Sequence, residues 1–367
     1  MKWLDNLKEA VNINSYTANK KGVDSVGRLF RGWLEELGYE CVIFERELIG
    51  DHLLFKSARG GRRKILLLGH LDTVFPPGTF EGFSEDEEWV YGPGVCDMKG
   101  GNIVALEALR YIYEEFGSIE DVDFLLVSDE ETGSDDSRAL TSEIGREYDY
   151  CFVFEAAGEN MEIVTGRKGI GTFSIEIEGR ASHAGTSYAK GIDANLEAAL
   201  KVQKLSRLTD LERGSTVNVG RMEGGIGANT ISPHAKLLLE IRYADHFEKE
   251  RLLGALEEIV STSYVEGSRA RLGGGIQRDV MEPDERQERL IEAMGRICGE
   301  KFAVESRGGV SDANIVSAEG VVTIDGWGPF GDGDHTHKER ALKSSFDERR
   351  RQMSAILRYH RQKGDIV

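Results

Sequence analysis

The chain has 367 residues, 40% of them hydrophobic and only six of them proline, which is enough apolar sequence for two folded domains and excludes a largely disordered protein. Its formal net charge of −18 excludes a typical nucleic-acid-binding protein, because phosphate contacts need clustered Lys and Arg. It has no secretory signal pattern, no long apolar run and no CxxC pair among its four cysteines. We therefore expect an acidic cytoplasmic enzyme with no nucleic-acid or membrane partner.

The first part of the chain alternates between strand and helix patterns. Buried parallel strands are typically short apolar runs, whereas helices show apolar residues at a spacing of three and four. On this basis helices are predicted over residues 25–37 and 100–117, and strands over 41–49, 51–57, 64–70, 124–128 and 151–155. The order predicts an α/β fold with a doubly wound, mostly parallel sheet.

From about residue 166 the pattern changes to strand, helix, two strands, helix, strand. The segment GTFSIEIEG (171–179) alternates apolar and polar residues, as expected for a sheet covered on one face. The order predicts an inserted ferredoxin-like α+β module, with residues 215–224 and 234–244 as its central strands. Because a further histidine motif follows this module, we expect a discontinuous catalytic domain over residues 1–164 and 278–367, with the inserted domain over 165–277.

Five short segments combine histidines, acids and glycines. They read GHLDTV (69–74), GPGVCDMKGG (92–101), SDEETGS (128–134), FVFEAAG (152–158) and GDGDHTHKE (331–339). Three of them follow predicted strands, and the carboxyl ends of parallel strands meet at one edge of a sheet. Two imidazoles and several carboxylates suit borderline divalent ions such as zinc, and a shared carboxylate is typical of paired ions. The segments therefore predict a two-metal hydrolase, and their candidate residues are His70, Asp97, Glu130, Glu131, Glu155 and His335.

Simpler interpretations exist for each candidate taken alone. Tandem acids such as Glu130 and Glu131 often begin a solvated helix, and His70 could be a hydrogen-bonded core histidine. By chemistry alone Glu155 is the least secure ligand, and either His335 or His337 could reach a metal from an extended segment. Asp72, two residues after His70, is suited to accept the imidazole's other N–H.

The five segments, together with RASHAG (180–185) and ANTISP (228–233), resemble the M20 family of metallopeptidases, and most closely its glutamate carboxypeptidase-like branch. The resemblance implies a homodimer, a smaller domain that serves as lid and dimer contact, and two divalent ions. Zinc is the expected ion, with cobalt and manganese as alternatives. It also implies that Asp97 bridges the ions, one held with His70 and the other with His335, while Glu131 and Glu155 divide between them.

The resemblance also implies roles for residues outside the ligand set. Glu130 would act as general base and His183 would stabilise the oxyanion, either within one chain or across the dimer. Substrate-binding positions are Asn229, Arg242, Gly308 and Gly309. The glutamate carboxypeptidase-like branch tends to place Arg before Thr-Gly-Gly-Gly, whereas this chain has Arg307 directly before Gly308. Arg307 is the candidate replacement, and glutamate specificity stays open.

The motifs and the resemblance leave three candidate functions. The first is carboxypeptidase-like or dipeptidase-like cleavage of a peptide or amide bond next to a free carboxylate. The second is deacylation of an N-acyl amino acid of the acetylornithine or succinyl-diaminopimelate type, which needs the same metal chemistry and a different pocket. The third is a catalytically silent relative that binds metal or an amino acid. Retention of Glu130 and of all the ligand positions favours an enzyme.

Overall fold

The computed structural model describes residues 2–367, which contain nine α-helices. In chain order these are α1 (Lys2–Val11), α2 (Lys20–Glu35), α3 (Lys99–Phe116), α4 (Ser137–Gly145), α5 (Ala194–Ser206), α6 (His246–Ser261), α7 (Glu285–Cys298), α8 (Ala313–Ala318) and α9 (Lys343–Lys363). The helix predicted over 25–37 begins earlier, because the Asn19 side chain accepts a hydrogen bond from Gly22 N and caps α2 at Lys20. The predicted end of α3 at Gly117 is confirmed by its left-handed φ of 71°.

The strands of the described residues form four sheets. They are β1 (Glu40–Phe44), β2 (His52–Lys56), β3 (Ile65–His70), β4 (Ser84–Glu85), β5 (Trp89–Tyr91), β6 (Val122–Val127), β7 (Tyr150–Val153), β8 (Ile163–Arg167), β9 (Gly169–Glu178), β10 (Thr216–Gly224), β11 (His234–Tyr243), β12 (Arg269–Arg278), β13 (Val304–Arg307), β14 (Val322–Ile324), β15 (Gly331–Asp332) and β16 (Arg340–Leu342). The sheet orders are β1-β2-β6-β3-β7-β14, β10-β11-β9-β12, β13-β8 and β15-β16-β5-β4.

The chain divides into two compact units. Unit 1 runs to Thr165 and resumes over Pro283–Arg307 and Ser311–Val367, and unit 2 comprises Gly166–Glu282 with Gly308–Val310. Unit 2 thus extends past the boundary expected near residue 278. After β12 ends, the Asp279 side chain accepts hydrogen bonds from Tyr243 and Lys249, which hold this stretch of chain against unit 2.

The large sheet of unit 1 confirms the predicted mostly parallel α/β fold. Strands β6, β3, β7 and β14 are parallel, and the β1-β2 hairpin adds an antiparallel edge next to β6. Every residue of β3, β6 and β7 is buried, as expected for parallel strands covered on both faces. The carboxyl ends of these three neighbouring strands therefore meet at one edge of the sheet.

Two glycines allow α3 to approach that edge closely. A Cβ on Gly101 would lie 1.8 Å from the carbonyl oxygen of Phe154, and one on Gly100 would lie 2.1 Å from that of Val95. Real Cβ atoms do not tolerate such contacts, so the MKGG segment needs glycine for packing. The first turn of α3 therefore packs directly against Phe154, the residue that follows β7, and against Val95 of the loop that carries Asp97.

Unit 2 has the predicted β-α-β-β-α-β order, with antiparallel pairing throughout the sheet. In β9 the even alternation of buried and more exposed residues places its apolar side chains on the face covered by α5 and α6. The prediction that β10 is a central strand was wrong. It lies at the edge beside β11, because β9 pairs with β11 and β12 and so occupies the interior.

Within residues 2–367, no helix combines the length and the apolar content that crossing a bilayer requires.

One buried cation organises unit 2. Lys201 is fully buried, lies 2.9 Å from Glu197, and donates to the carbonyl oxygens of Ile259 and Thr262 at 2.6 and 2.7 Å. The Glu197 carboxylate in turn accepts from the backbone N–H of Val265 at 2.6 Å. The pair thus ties α5 to the carboxyl-terminal end of α6, where carbonyl groups lack helical partners.

We expect Lys201→Met to destabilise the protein by about 3–5 kcal/mol, because it leaves the Glu197 carboxylate buried without its counter-charge. Urea denaturation measures the change. Lys204→Met, an exposed lysine on the same helix, is the matched control and should shift the midpoint little. Equal urea midpoints for the two variants would contradict the stabilising role of Lys201.

Candidate metal centre

The strand ends of the large sheet carry three of the predicted acids and one histidine. His70 is the last residue of β3, Glu155 lies two residues after β7, and Glu130 with Glu131 lies in a short 3-10 helix after β6. Because β6, β3 and β7 are neighbours in the sheet and run parallel, their ends deliver these side chains to one edge.

Asp97 and His335 reach the same edge from two loops. Asp97 lies between β5 and α3, and His335 lies in the loop between β15 and β16. The two loops are adjacent because β16 pairs with β5, with Arg340 opposite Tyr91. His335 itself has a left-handed φ of 61°, a conformation that is uncommon for a residue other than glycine and is often found at functional sites.

The five side chains form two groups that share Asp97. His70, Asp97 and Glu155 make one group and Asp97, Glu131 and His335 the other, with ligand atoms within 4.8 Å of one another in each. Asp97 turns Oδ1 toward His70 Nε2 at 3.1 Å and Oδ2 toward His335 Nε2 at 3.2 Å. The sequence left open which glutamate belongs to which group. Glu155 lies with His70, at 3.8 Å, and Glu131 lies with His335, at 3.1 Å.

Burial and mutual charge strongly perturb this cluster. Burial and then the charge of Asp97 raise the pKa of Glu131 to about 8, and the same causes raise the pKa of Glu155. Burial acts to raise the pKa of Asp97, but hydrogen bonds from His335 and His70 outweigh it and hold that pKa below its usual range. Hydrogen bonds to Asp97 and then to Glu131 raise the pKa of His335 to about 11.

The donor set fits two divalent cations. Once these groups have lost their protons, three carboxylates around two neutral imidazoles would carry negative charge that a divalent ion in each group would offset, and Asp97 offers one oxygen to each. Mixed nitrogen and carboxylate ligands suit zinc, cobalt and manganese alike. Cys96 lies next to the cluster, but burial raises the pKa of its thiol well above the usual value, and it belongs to neither group.

Asp72 organises the strand end behind the ligands. The predicted hydrogen bond from His70 goes first to the Asp72 backbone carbonyl, 3.0 Å from Nδ1, while the carboxylate lies at 3.4 Å. The carboxylate accepts from Thr17 Oγ1 at 2.7 Å and faces the backbone N–H groups of Glu130 and Glu131 at 3.3 Å each. Nδ1 of His70 therefore donates, which leaves Nε2 as the ligand atom.

Thr17 and Glu339 were not among the predicted residues, although both contact the segments that carry ligands. Thr17 lies in the connection between α1 and α2, far from any motif. Glu339 is the last residue of the GDGDHTHKE motif and was assigned no role from the sequence. His337, the other histidine of that motif, stacks on Phe80 with ring centroids 5.7 Å apart and belongs to neither ligand group.

In unit 2, the exposed loop of His183 lies beside Asn229. His183 Nδ1 accepts from the backbone N–H groups of Gly185 and Thr186 at 3.1 and 3.2 Å, and the Asn229 carbonyl accepts from Ala184 N at 2.9 Å. Because Nδ1 is an acceptor, the imidazole presents Nε2–H as a donor.

The predicted substrate-binding residues 242 and 307–309 divide between the units. Arg242 of unit 2 is paired with Glu240 at 2.7 Å and donates to the Gly308 carbonyl at 2.9 Å. The neighbouring Gly309 carbonyl accepts from Arg167 at 3.0 Å. Arg307 of unit 1 pairs with Glu305 and donates to the carbonyl of Ala156 at 3.0 Å, next to the candidate ligand Glu155.

Comparison with known proteins gives a consistent result. Residues 66–359 match the profile of peptidase family M20/M25/M40. The chain is 29% identical to carboxypeptidase G2 of Pseudomonas sp. (strain RS-16), over 96% of this chain and 87% of that protein. It is 26% identical to a succinyl-diaminopimelate desuccinylase of Methylocella silvestris, over 78% and 80%. A tripeptidase of Staphylococcus aureus has a similar fold, with a TM-score of 0.80, 22% identity and 98% coverage of each chain.

We expect metal uptake to release protons and to strengthen as pH rises through about 8 toward about 11. The raised pKa values of Glu131 and His335 keep both groups protonated at neutral pH, and each must lose its proton to bind an ion. Calorimetric zinc titrations in buffers of different ionisation enthalpy count the protons. His337→Ala should release the same number, and uptake that is independent of pH would contradict the ligand assignment.

Proposed function

The chain belongs to peptidase family M20/M25/M40 and is a metallohydrolase of peptide or amide bonds, and from that premise we propose that it cleaves such a bond next to a free carboxylate, as a carboxypeptidase or dipeptidase does. The observation that carries the proposal is the pair of ligand groups sharing Asp97, with Glu130 adjacent in sequence to the ligand Glu131. The relationship to carboxypeptidase G2 supports the carboxylate preference.

The ligand groups would hold two divalent ions, with zinc expected. Bound there, the ions would lower the pKa of a water molecule and polarise the carbonyl group of the substrate. His70 and Glu155 would hold one ion and His335 and Glu131 the other, with Asp97 between them. Asp72 and Thr17 would keep His70 in the tautomer whose Nε2 is free to bind.

In the proposed mechanism Glu130 is the general base. Its carboxylate accepts a proton from the attacking water, whose oxygen bonds to the carbonyl carbon. When the C–N bond breaks, Glu130 passes that proton to the leaving nitrogen, so that an amine and a carboxylic acid result, and the acid then loses its remaining proton to give a carboxylate. The backbone supports this division of labour, because the N–H groups of Glu130 and Glu131 both face Asp72 while the side chain of Glu131 contacts His335.

His183 is proposed to donate a hydrogen bond to the oxyanion of the tetrahedral intermediate. Its fixed Nδ1 acceptor role, which leaves Nε2–H as a donor, supports this assignment. Asn229 and Arg242, with the loop that follows Arg307, are proposed to bind the substrate. The four free cysteines support the expectation of a reducing cytoplasm, and the homodimer is proposed from the resemblance alone.

An N-acyl amino acid deacylase is the second candidate. The relationship to a succinyl-diaminopimelate desuccinylase favours it, as does Arg307 standing directly before Gly308 where the carboxypeptidase-like branch has a longer threonine-glycine run. The metal centre and Glu130 would act identically on either substrate. A silent relative is the third candidate, and the complete set of ligands together with Glu130 argues against it.

We expect Glu130→Ala to lower kcat by about 10²- to 10⁴-fold without loss of metal, because it removes the proton acceptor and leaves both ligand groups intact. The substrates are dipeptides ending in Glu or Asp, acyl-glutamates and N-acetyl amino acids. Glu114→Ala, an exposed acid on α3, is the matched control.

Turnover of the dipeptides or acyl-glutamates supports the first proposal, and turnover of the N-acetyl amino acids alone supports the second. A wild-type protein that holds two ions and hydrolyses none of these substrates would favour the silent relative. Unchanged kcat in Glu130→Ala would remove Glu130 from the mechanism.

We expect His183→Ala to lower kcat by about 10²- to 10³-fold with wild-type metal content, because one donor to the oxyanion is lost. Steady-state kinetics and metal analysis test it. His234→Ala, an exposed histidine of the same unit, should behave as wild type. A loss confined to KM would assign His183 to substrate binding instead.

A further inference from the structure

Glu339 is a buried carboxylate that the mechanism above does not use. It is 1% exposed and lies four residues after His335, directly before β16. Its Oε2 accepts from Gly94 N at 3.0 Å, and its Oε1 accepts from Cys96 N at 2.9 Å and from Asp97 N at 3.1 Å. A single side chain thus satisfies three backbone donors of one loop.

The loop that Glu339 holds is the one that presents Asp97. Three hydrogen bonds to one side chain from consecutive parts of a loop define the path of that loop. The surroundings leave little room for another path, since a Cβ on Gly331 would lie 2.5 Å from Cys96 Sγ. Glu339 therefore holds the loop of Asp97 against the β15-β16 hairpin, whose loop carries His335.

We propose that Glu339 is the positioning residue that orients Asp97 between the two ligand groups and thereby sets the affinity for both ions together. The inference rests on the proposed two-metal function. Because the two oxygens of Asp97 point to different groups, a shift of its backbone displaces both at once. A residue that only stabilised the fold would leave the affinity of the folded protein unchanged.

Asp121 provides a matched control at the opposite end of the sheet. It is 2% exposed and its carboxylate accepts from the backbone N–H groups of Gly60 and Arg62 at 2.9 and 3.0 Å. It precedes β6, whose other end leads to the ligands. Asp121→Asn should therefore lower stability without altering metal affinity.

The test titrates metal-free Glu339→Gln and Asp121→Asn with Co²⁺, followed by visible absorbance, and with Zn²⁺ by calorimetry. The glutamine amide cannot accept at both ends, so some of the three N–H groups lose their partner. Groups that orient a ligand typically change metal affinity about 10- to 100-fold. We expect a loss of that size at both binding steps in Glu339→Gln, an altered Co²⁺ spectrum, and wild-type affinity in Asp121→Asn.

Wild-type affinity at both steps in folded Glu339→Gln would overturn the proposal, as would a loss at one step only. If that variant does not fold, Glu339→Asp takes its place, and its shorter carboxylate should also weaken both steps; wild-type affinity there would equally overturn the proposal. Failure of the proposed function has a different signature, because a wild-type protein that binds two ions but hydrolyses no substrate would leave the role of Glu339 intact.

Discussion

The sharing of one carboxylate between two ligand groups is the constraint on which the site depends. Asp97 reaches His70 with one oxygen and His335 with the other, so the strand end of β3 and the loop before β16 must both reach the same side chain. The close packing of α3 through Gly100 and Gly101 brings the Asp97 loop to the sheet edge. The pairing of β16 with β5 brings His335 from the far end of the chain.

The same arrangement explains why assembling the site costs free energy. Buried carboxylates repel one another and favour their neutral forms, which is why the pKa values of Glu131 and Glu155 rise. The imidazoles of His70 and His335 offset part of this repulsion through their contacts with Asp97 and Glu131. The cluster holds charge that favours a cation over an apolar ligand.

Much of the fold and of the candidate site could be predicted from the sequence, because strong local patterns indicate both. Apolar runs ending in acids identified β3, β6 and β7, and the order of the inserted module follows from its alternating strands and amphipathic helices. What the sequence could not supply depends on the directions of single side chains. Glu131 and Glu155 are chemically equivalent, so the sequence could not assign each to its group. It also could not show that His70 bonds to the carbonyl of Asp72 rather than to its carboxylate. Thr17 contacts Asp72 although the two residues are far apart in sequence. The edge position of β10 likewise depends on pairing rather than pattern.

The discontinuity of unit 1 has a consequence for how the protein is made. His335 and Glu339 are synthesised after the whole of unit 2, and β14, which completes the large sheet, is also late in the chain. Unit 2 is continuous apart from Gly308–Val310 and is fully synthesised while unit 1 still lacks one of its two ligand histidines. Domains generally fold as they emerge from the ribosome, so the order in which the segments are synthesised sets the order in which they fold. A nascent chain stalled within α7 would carry His70, Asp97 and Glu155 but could not yet assemble the second candidate ligand group, so the complete candidate metal centre can form only late in synthesis.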